Sequence, residues 1–565
     1  MSSHGQTQGP AGVWTDRRMR RRQFIAATGS SLLALVAAGC AGEGPAAPTE
    51  APPATTPAPT PGAEATPAPA ERPTGTPTAA VSVGEPVRGG TLIYARNIDA
   101  KTLDPHFSAQ FSERFALYCI YNTIVAWDTN FNIVPELAES WDITEDGKTI
   151  EFQLRPGVKF HDGTDCDADA VKWNLERILN PNVNSPQRGQ LEPAIERVEA
   201  VDKTILRLIL KKPWRPLLAA LGERPGFVIS PTAAEKYGDT FGRNPVGSGP
   251  FKFVEWVDDS HIILERFEDY WDKGKPYLDR IEIRHVPDIQ VQATMVRTGE
   301  AHLIDSVDPS VVATLRGAPG IVVEEYNSWR WYATQCDVDK PPFDNPDLRK
   351  ALAYATDRET IKKVIFNDTG RVMTHPIAGG WAYDPSLDNL MTFDLERARE
   401  YLEKSGMSGQ TFKLTASNDR LIQDFAQLLQ AQYQELGITV EIETVDAAES
   451  FKLVKEDKTN WTITNWTPRA DPDGLLRILW HSKGFQNTTG FSNPEVDRLL
   501  DEAAGTYDTK EAAELYHQVE RIIVENADYV FIHAPAEVAA RREEVMGFQY
   551  YPDLILRLRE LWLKQ

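Results

Sequence analysis

TFKLTASNDRLIQDFAQLLQAQYQELGITVEIETV, residues 411–445, decides the fold class. It opens with an extended run, TFKLTA (411–416), turns helical from Arg420 to Leu436, stops at Gly437 and resumes as ITVEIETV (438–445), where Ile438, Val440 and Ile442 alternate. A helix crossing between two strands makes those strands parallel, so this part of the chain is α/β. Working outward, Asn493 caps and Pro494 opens a helix in NPEVDRLLDEA, and TKEAAELYHQVERIIVENA is a second helix with Leu515, Val519, Ile522 and Ile523 as its buried face. DYVFIHA (528–534) returns as a strand. Towards the N-terminus, GGTLIYAR (89–96) is a first strand. KTIEFQLRPGVKFHDGT (148–164) is a hairpin, with Ile150, Phe152 and Leu154 on one side and a second strand from Val158 to Phe160. In DCDADAVKWNLERILNP, Asp167 caps a helix, Val171, Leu175, Ile178 and Leu179 form its apolar stripe, and Pro181 stops it.

A chain of 565 residues, 41% hydrophobic and 25% charged with 14 tryptophans, is long enough for two or more globular domains. The net charge is −22, and the first 39 residues hold five arginines against one aspartate, so the remainder is more acidic still. Such a body repels nucleic acid. Cys40, Cys119, Cys166 and Cys336 are too scattered for a zinc cluster. If Cys40 is lipidated, the other three allow at most one disulfide, and buried free thiols fit the spacing equally.

Residues 1–39 read as a signal peptide: Arg20, Arg21 and Arg22 precede an apolar run from Ile25 to Ala38, which is too short to span a bilayer of ~30 Å. Arg21–Ile25 resembles a twin-arginine export signal, and Leu35–Cys40 ends in the Ala-Gly-Cys of a bacterial lipobox, which makes Cys40 the lipidated N-terminus. Between Ala41 and Ala80, 31 of 40 residues are Pro, Ala or Thr. Segment 40–86 is therefore expected to be an unfolded tether, reaching up to ~120 Å as polyproline II.

Phosphate loops, nucleophile elbows, zinc helices and dinucleotide fingerprints are absent from the sequence, and no catalytic residue, metal ligand or cofactor is assigned. NPVGSGPF (244–251) is a tight glycine turn, and His161-Asp162 is not spaced as a base with its orienting acid. TNWTPRADPDG (464–474) crowds Asp471, Asp473 and Arg469 beside two prolines, yet lacks the further oxygens of a calcium loop. A turn accounts for it: Pro472 stiffens it and Gly474 frees it.

Several segments, taken in order, resemble the extracytoplasmic solute-binding proteins of peptide- and nickel-type ABC importers. They are LDPHFS with IYNTIVAWDTNFNIVPELAESWDITEDGKTIEFQLRPGVKFHDGT, then NPVGSGPFKFVEW, NPDLRKALAYATDRETI, GWAYDP and FSNPEVDRLLDEA. The resemblance runs from about residue 88 to the C-terminus. It implies an α/β, two-lobed, periplasmic-binding-protein-like clamshell (class II type) with an extra subdomain inserted in the first lobe. Lobe I would cover 88–327 with the insertion at about 127–243, lobe II 328–529, and 530–565 would return to lobe I. The implied function is capture of a peptide or similar small organic solute between the lobes and delivery to a membrane permease. The protein would act as an extracytoplasmic, lipid-anchored monomer, in the periplasm or on the outer face of the cytoplasmic membrane.

In this family the segment after the tryptophan of NWTPRADPDG lines the cleft, and peptide-binding members place an aspartate about three residues past it. Here Arg469 stands there, suited to a carboxylate or phosphate, unless gaps in the loop make Asp471 the equivalent. An arginine held by a structural carboxylate at the cleft rim is the competing reading. Other candidate ligand contacts are Phe107, Gln110, Trp329, Trp331, Tyr332, Trp381, Asn465 and Trp466, although core packing explains large aromatics equally well. Non-peptide ligands remain open (an anionic conjugate, an oligosaccharide, chelated nickel), as do a sensor or chaperone subunit serving no importer and a secreted hydrolase using Asp471 and Asp473.

Overall fold

The computed structural model describes residues 85–564. The signal peptide, Cys40 and nearly all of the tether lie outside the described residues. Three sheets carry most of the strands. A seven-stranded sheet runs in the order Ile321–Asn327, Ala536–Arg542, Leu303–Ile304, Thr91–Arg96, Arg280–His285, His261–Arg266, Phe251–Val257. Thr91–Arg96 lies parallel to both its neighbours, with Thr91 opposite Arg280. A six-stranded sheet runs Arg371–Val372, Tyr529–Ala534, Trp331–Cys336, Trp461–Trp466, Thr411–Ser417, Thr439–Val445. Its last two strands are the parallel pair expected from residues 411–445, in register from Thr411↔Thr439 to Ser417↔Val445. The crossover helix Arg420–Glu435 buries Ile422, Phe425, Ala426, Leu429 and Tyr433 against them. Gly437 takes a φ of 84°, which ends that helix and admits the next strand.

The third sheet, antiparallel, orders Ala138–Ile143, Thr149–Leu154, Ile205–Leu210 and Ile195–Ala200 around a core of its own that includes Ile150, Phe152, Leu206 and Leu208. It interrupts the seven-stranded lobe between Thr91–Arg96 and Phe251–Val257 and forms the inserted subdomain. The chain passes between the lobes twice, through Ser328–Arg330 and through Pro535. The two crossings are tied together by Ser328 N–H donating to the Pro535 carbonyl at 3.1 Å.

Four expectations need correction. The strand Thr149–Leu154 pairs with Ala138–Ile143 and Ile205–Leu210, not with Val158–Phe160. After the turn at Gly157, Val158 and Phe160 plug the same core, and only a Lys159↔Asp165 bridge forms. Helix Thr509–Asn526 is rotated from the expected face: Tyr516, Val519, Glu520, Ile523 and Val524 are buried, while Leu515 and Ile522 are half-buried. The rotation turns Tyr516 towards Asp471 and Glu520 towards His375. The return to the first lobe falls at Pro535 instead of 530, because the whole strand Tyr529–Ala534 stays in the six-stranded sheet. Finally, NPVGSGPF is glycine-rich for close packing: a Cβ on Gly247 would lie 2.1 Å from the Ile120 carbonyl oxygen. Cys119, Cys166 and Cys336 are all free and buried.

Candidate functional site

The strand Trp461–Trp466 ends where TNWTPRADPDG begins its turn, and helix Asp473–Trp480 starts at its far end. Arg469 projects from between. One guanidinium nitrogen donates to the Thr467 hydroxyl (2.8 Å), the Thr467 carbonyl (3.3 Å) and the Pro468 carbonyl (3.0 Å), all within its own turn. Its stem lies over Gly474, where an added Cβ would sit 3.2 Å from Arg469 Cβ and Cγ. Among the described residues Arg469 forms no ion pair within 4.0 Å. The side chain is exposed and lines the recess described below. Burial lowers its pKa, the Glu223 carboxylate across the cleft raises it, and Arg114 lowers it. Glu223 is itself engaged by Arg114 Nε at 3.2 Å and Arg224 at 2.7 Å.

Beside Arg469 lies a small recess open to solvent, walled by Phe131, Trp329, Ile377, Trp381 and Pro468. Trp329 meets Phe131 edge-on at 5.1 Å, and a Cβ on Gly379 would lie 2.5 Å from the Trp329 ring, so only glycine lets that indole lie there. Trp381 donates from Nε1 to the Ala470 carbonyl at 3.4 Å, and the Arg215 guanidinium sits 3.8 Å from its ring centroid. The wall is thus aromatic with one under-partnered cation, the usual make-up of a small-molecule cleft.

The model of the bacterial extracellular solute-binding proteins, family 5 (middle region), matches residues 132–487. The chain belongs to that family. It is 30% identical over 480 residues to a glutathione-binding protein, GsiB, of Pectobacterium atrosepticum, covering 81% of this chain and 91% of the relative. Among solved structures it is similar to DppA of Helicobacter pylori in complex with the peptide STSA (28% identity, TM-score 0.73, 85% of this chain and 99% of that one). It is also similar to AgaA of A. tumefaciens R10 in complex with agropinic acid (26%, 0.71, 84% and 99%). The family accounts for the two lobes and the insertion, and its members are extracytoplasmic receptors of ABC importers.

For this family 5 protein, the structure brings Trp329, Trp381 and Arg469 together at the recess. Asn465 is exposed and Trp466 half-buried on the strand leading to it. Phe107 and Gln110 lie in the loop before helix Arg114–Ile120 and do not line it; Phe107 faces the Arg177 guanidinium at 5.3 Å, and the Gln110 carbonyl accepts from Arg224 at 2.8 Å. Trp331 and Tyr332 are corrections: both are core. Trp331 is fully buried between Tyr529 and Phe531, and Tyr332 packs on Phe425 at 5.4 Å. Their strand is central and covered on both faces, so alternation sends neither to the cleft.

Asp471 is a correction too. It is buried, ion-paired to Arg215 of the insertion, and accepts from the Tyr516 hydroxyl at 3.3 Å and Asp473 N–H at 3.0 Å. Asp473 pairs with Arg477 at 2.9 Å; burial lifts its pKa to about 6 against the pull of Arg477. Neither acid lines the recess, and each is held in an ion pair with an arginine. Elsewhere, Asp99, Asp259 and His285 bring ligand atoms within 4.8 Å of one another, but Asp99 already bonds the Asp259 backbone N–H at 3.0 Å and the Asp259 side chain is exposed. Arg215, Glu223 and Phe131 escaped sequence reasoning because all three come from the insertion, which carries no ligand-site pattern of its own.

Proposed function

We propose that this protein is a receptor for a carboxylate-bearing, peptide-like solute, which it captures against Arg469 and the Trp329–Trp381 wall and passes to an ABC permease. The observation carrying this reading is that Arg469, exposed and lining the recess, has no carboxylate within 4.0 Å among the described residues. A guanidinium at the recess without an acid partner is free to take a ligand anion, to which its planar fork can bond through two nitrogens. That favours the ligand-facing reading of Arg469 over the rim ion pair. The family supports a peptide-like ligand, and the glutathione-binding relative supports glutathione, with its two carboxylates, as the first to test. The Arg20–Cys40 signals support twin-arginine export and a lipid anchor, with 40–86 as the tether.

The test is isothermal titration of glutathione, its dimethyl ester and a neutral disaccharide into wild type and Arg469→Ala. Loss confined to glutathione is expected. Equal binding of acid and ester by wild type would overturn the reading. Native mass spectrometry of the purified protein would weigh any retained ligand directly.

A further inference from the structure

Arg215 belongs to the insertion, where the segment Lys212–Arg215 leaves strand Ile205–Leu210 and leads into the short helix Pro216–Ala220. Almost everything it touches belongs to the other lobe. Arg215 N–H donates to the Ala504 carbonyl at 2.7 Å, near the end of helix Pro494–Gly505. Its guanidinium is ion-paired with Asp471 and stacked on Trp381, with both charged side chains nearly buried. Trp214 N–H donates to the Tyr507 oxygen at 3.3 Å, and the Tyr507 hydroxyl donates in turn to the Gly147 carbonyl at 3.2 Å. Tyr507 thereby packs onto the core of the four-stranded sheet. Lys212 approaches Asp501 at 3.8 Å, and the Arg477 guanidinium lies 4.9 Å from the Trp214 ring centroid.

Each of these contacts joins protein to protein, and none requires a solute. They are also directional and mutually exclusive with separated lobes: opening the cleft by more than an ångström or two breaks the Arg215–Ala504 and Tyr507 bridges together. Asp471, which Arg215 engages, is two residues beyond Arg469, and Trp381, on which Arg215 stacks, is a wall of the recess. Closure therefore fixes the ligand turn and the aromatic wall in one event.

We propose that Lys212–Arg215 is a latch that holds part of the population closed without ligand, with Arg215 as the positioning residue that couples closure to the Arg469 turn. The latch is independent of the ligand reading above; only the coupling to Arg469 rests on it. A receptor whose competent fraction falls tenfold binds about tenfold more weakly, whatever the ligand.

The experiment has two arms. Small-angle scattering of the purified protein without added ligand compares wild type, Arg215→Ala and the milder Tyr507→Phe. The radius of gyration is expected to rise in both variants, more in the first, with far-UV circular dichroism unchanged. No change in either variant would overturn the latch, and this arm reads it even if glutathione does not bind. Titration of glutathione and of a neutral dipeptide amide then tests the coupling. Arg215→Ala should weaken both ligands by the same factor, about tenfold, whereas Arg469→Ala should weaken only the anion. Loss confined to glutathione in Arg215→Ala would make Arg215 a ligand contact and overturn the coupling.

Discussion

Two arginines stand near Trp381, one from each lobe, and they are held in opposite ways. Arg215 is neutralised by Asp471, stacked on an indole and nearly buried. Arg469 is held by the carbonyls and hydroxyl of its own turn, with no acid within 4.0 Å among the described residues. A cation paired with a buried acid contributes to structure, whereas one held only by its own turn can still take an anion, as proposed above. The difference teaches that position relative to partners, and not residue type, separates the proposed latch from the proposed site.

The strongest way to break that contrast is to remove the partner of the satisfied arginine. Asp471→Ala leaves Arg215 buried and unpaired and is expected to cost about 3–5 kcal/mol, read by urea denaturation. Arg469→Ala should instead leave thermal stability unchanged or slightly raised. A pH series separates the neighbouring acid. The Asp473 pKa in the fold, about 6, is above its ordinary value, so its ionisation opposes folding. Stability should fall as pH climbs from about 4 to about 6, by up to about 3 kcal/mol at 1.36 kcal/mol per unit, and Asp473→Asn should flatten that slope. On the ligand side, Arg469→Ala should weaken glutathione on the order of a hundredfold, the size expected for a lost charge-assisted pair. The smallest effect is the most telling. Gly474→Ala adds helix propensity worth up to ~1 kcal/mol while pushing on the Arg469 stem, so unfolding should become harder and glutathione binding several-fold weaker.

What the sequence made legible follows chain distance. The parallel pair 411–445 and the caps Asp167 and Asn493 depend on neighbours within one supersecondary unit, and periodicity finds them. The seven-stranded sheet draws on residues 91–96, 251–285, 303–327 and 536–542, including a two-residue strand, Leu303–Ile304, that no pattern marks. Arg469 could be singled out because it departs from a family landmark. Its lack of an acid within 4.0 Å among the described residues could not, and neither could the Arg215–Asp471 pair, whose members are 256 residues apart. For Trp331 and Tyr332 the core-packing alternative wins, because a central strand buries both of its faces, which residue type alone does not reveal.

Trp329 deserves a different reading in light of the tied crossings. It lies in the very segment, Ser328–Arg330, whose backbone is bonded to Pro535, and its indole is also a wall of the recess. Any swing of one lobe against the other must therefore rotate that ring against Phe131 and change how much water reaches it. The receptor thus carries an optical gauge of the angle between the lobes without any attached label, read as the share of the emission of its 14 tryptophans that Trp329→Phe removes.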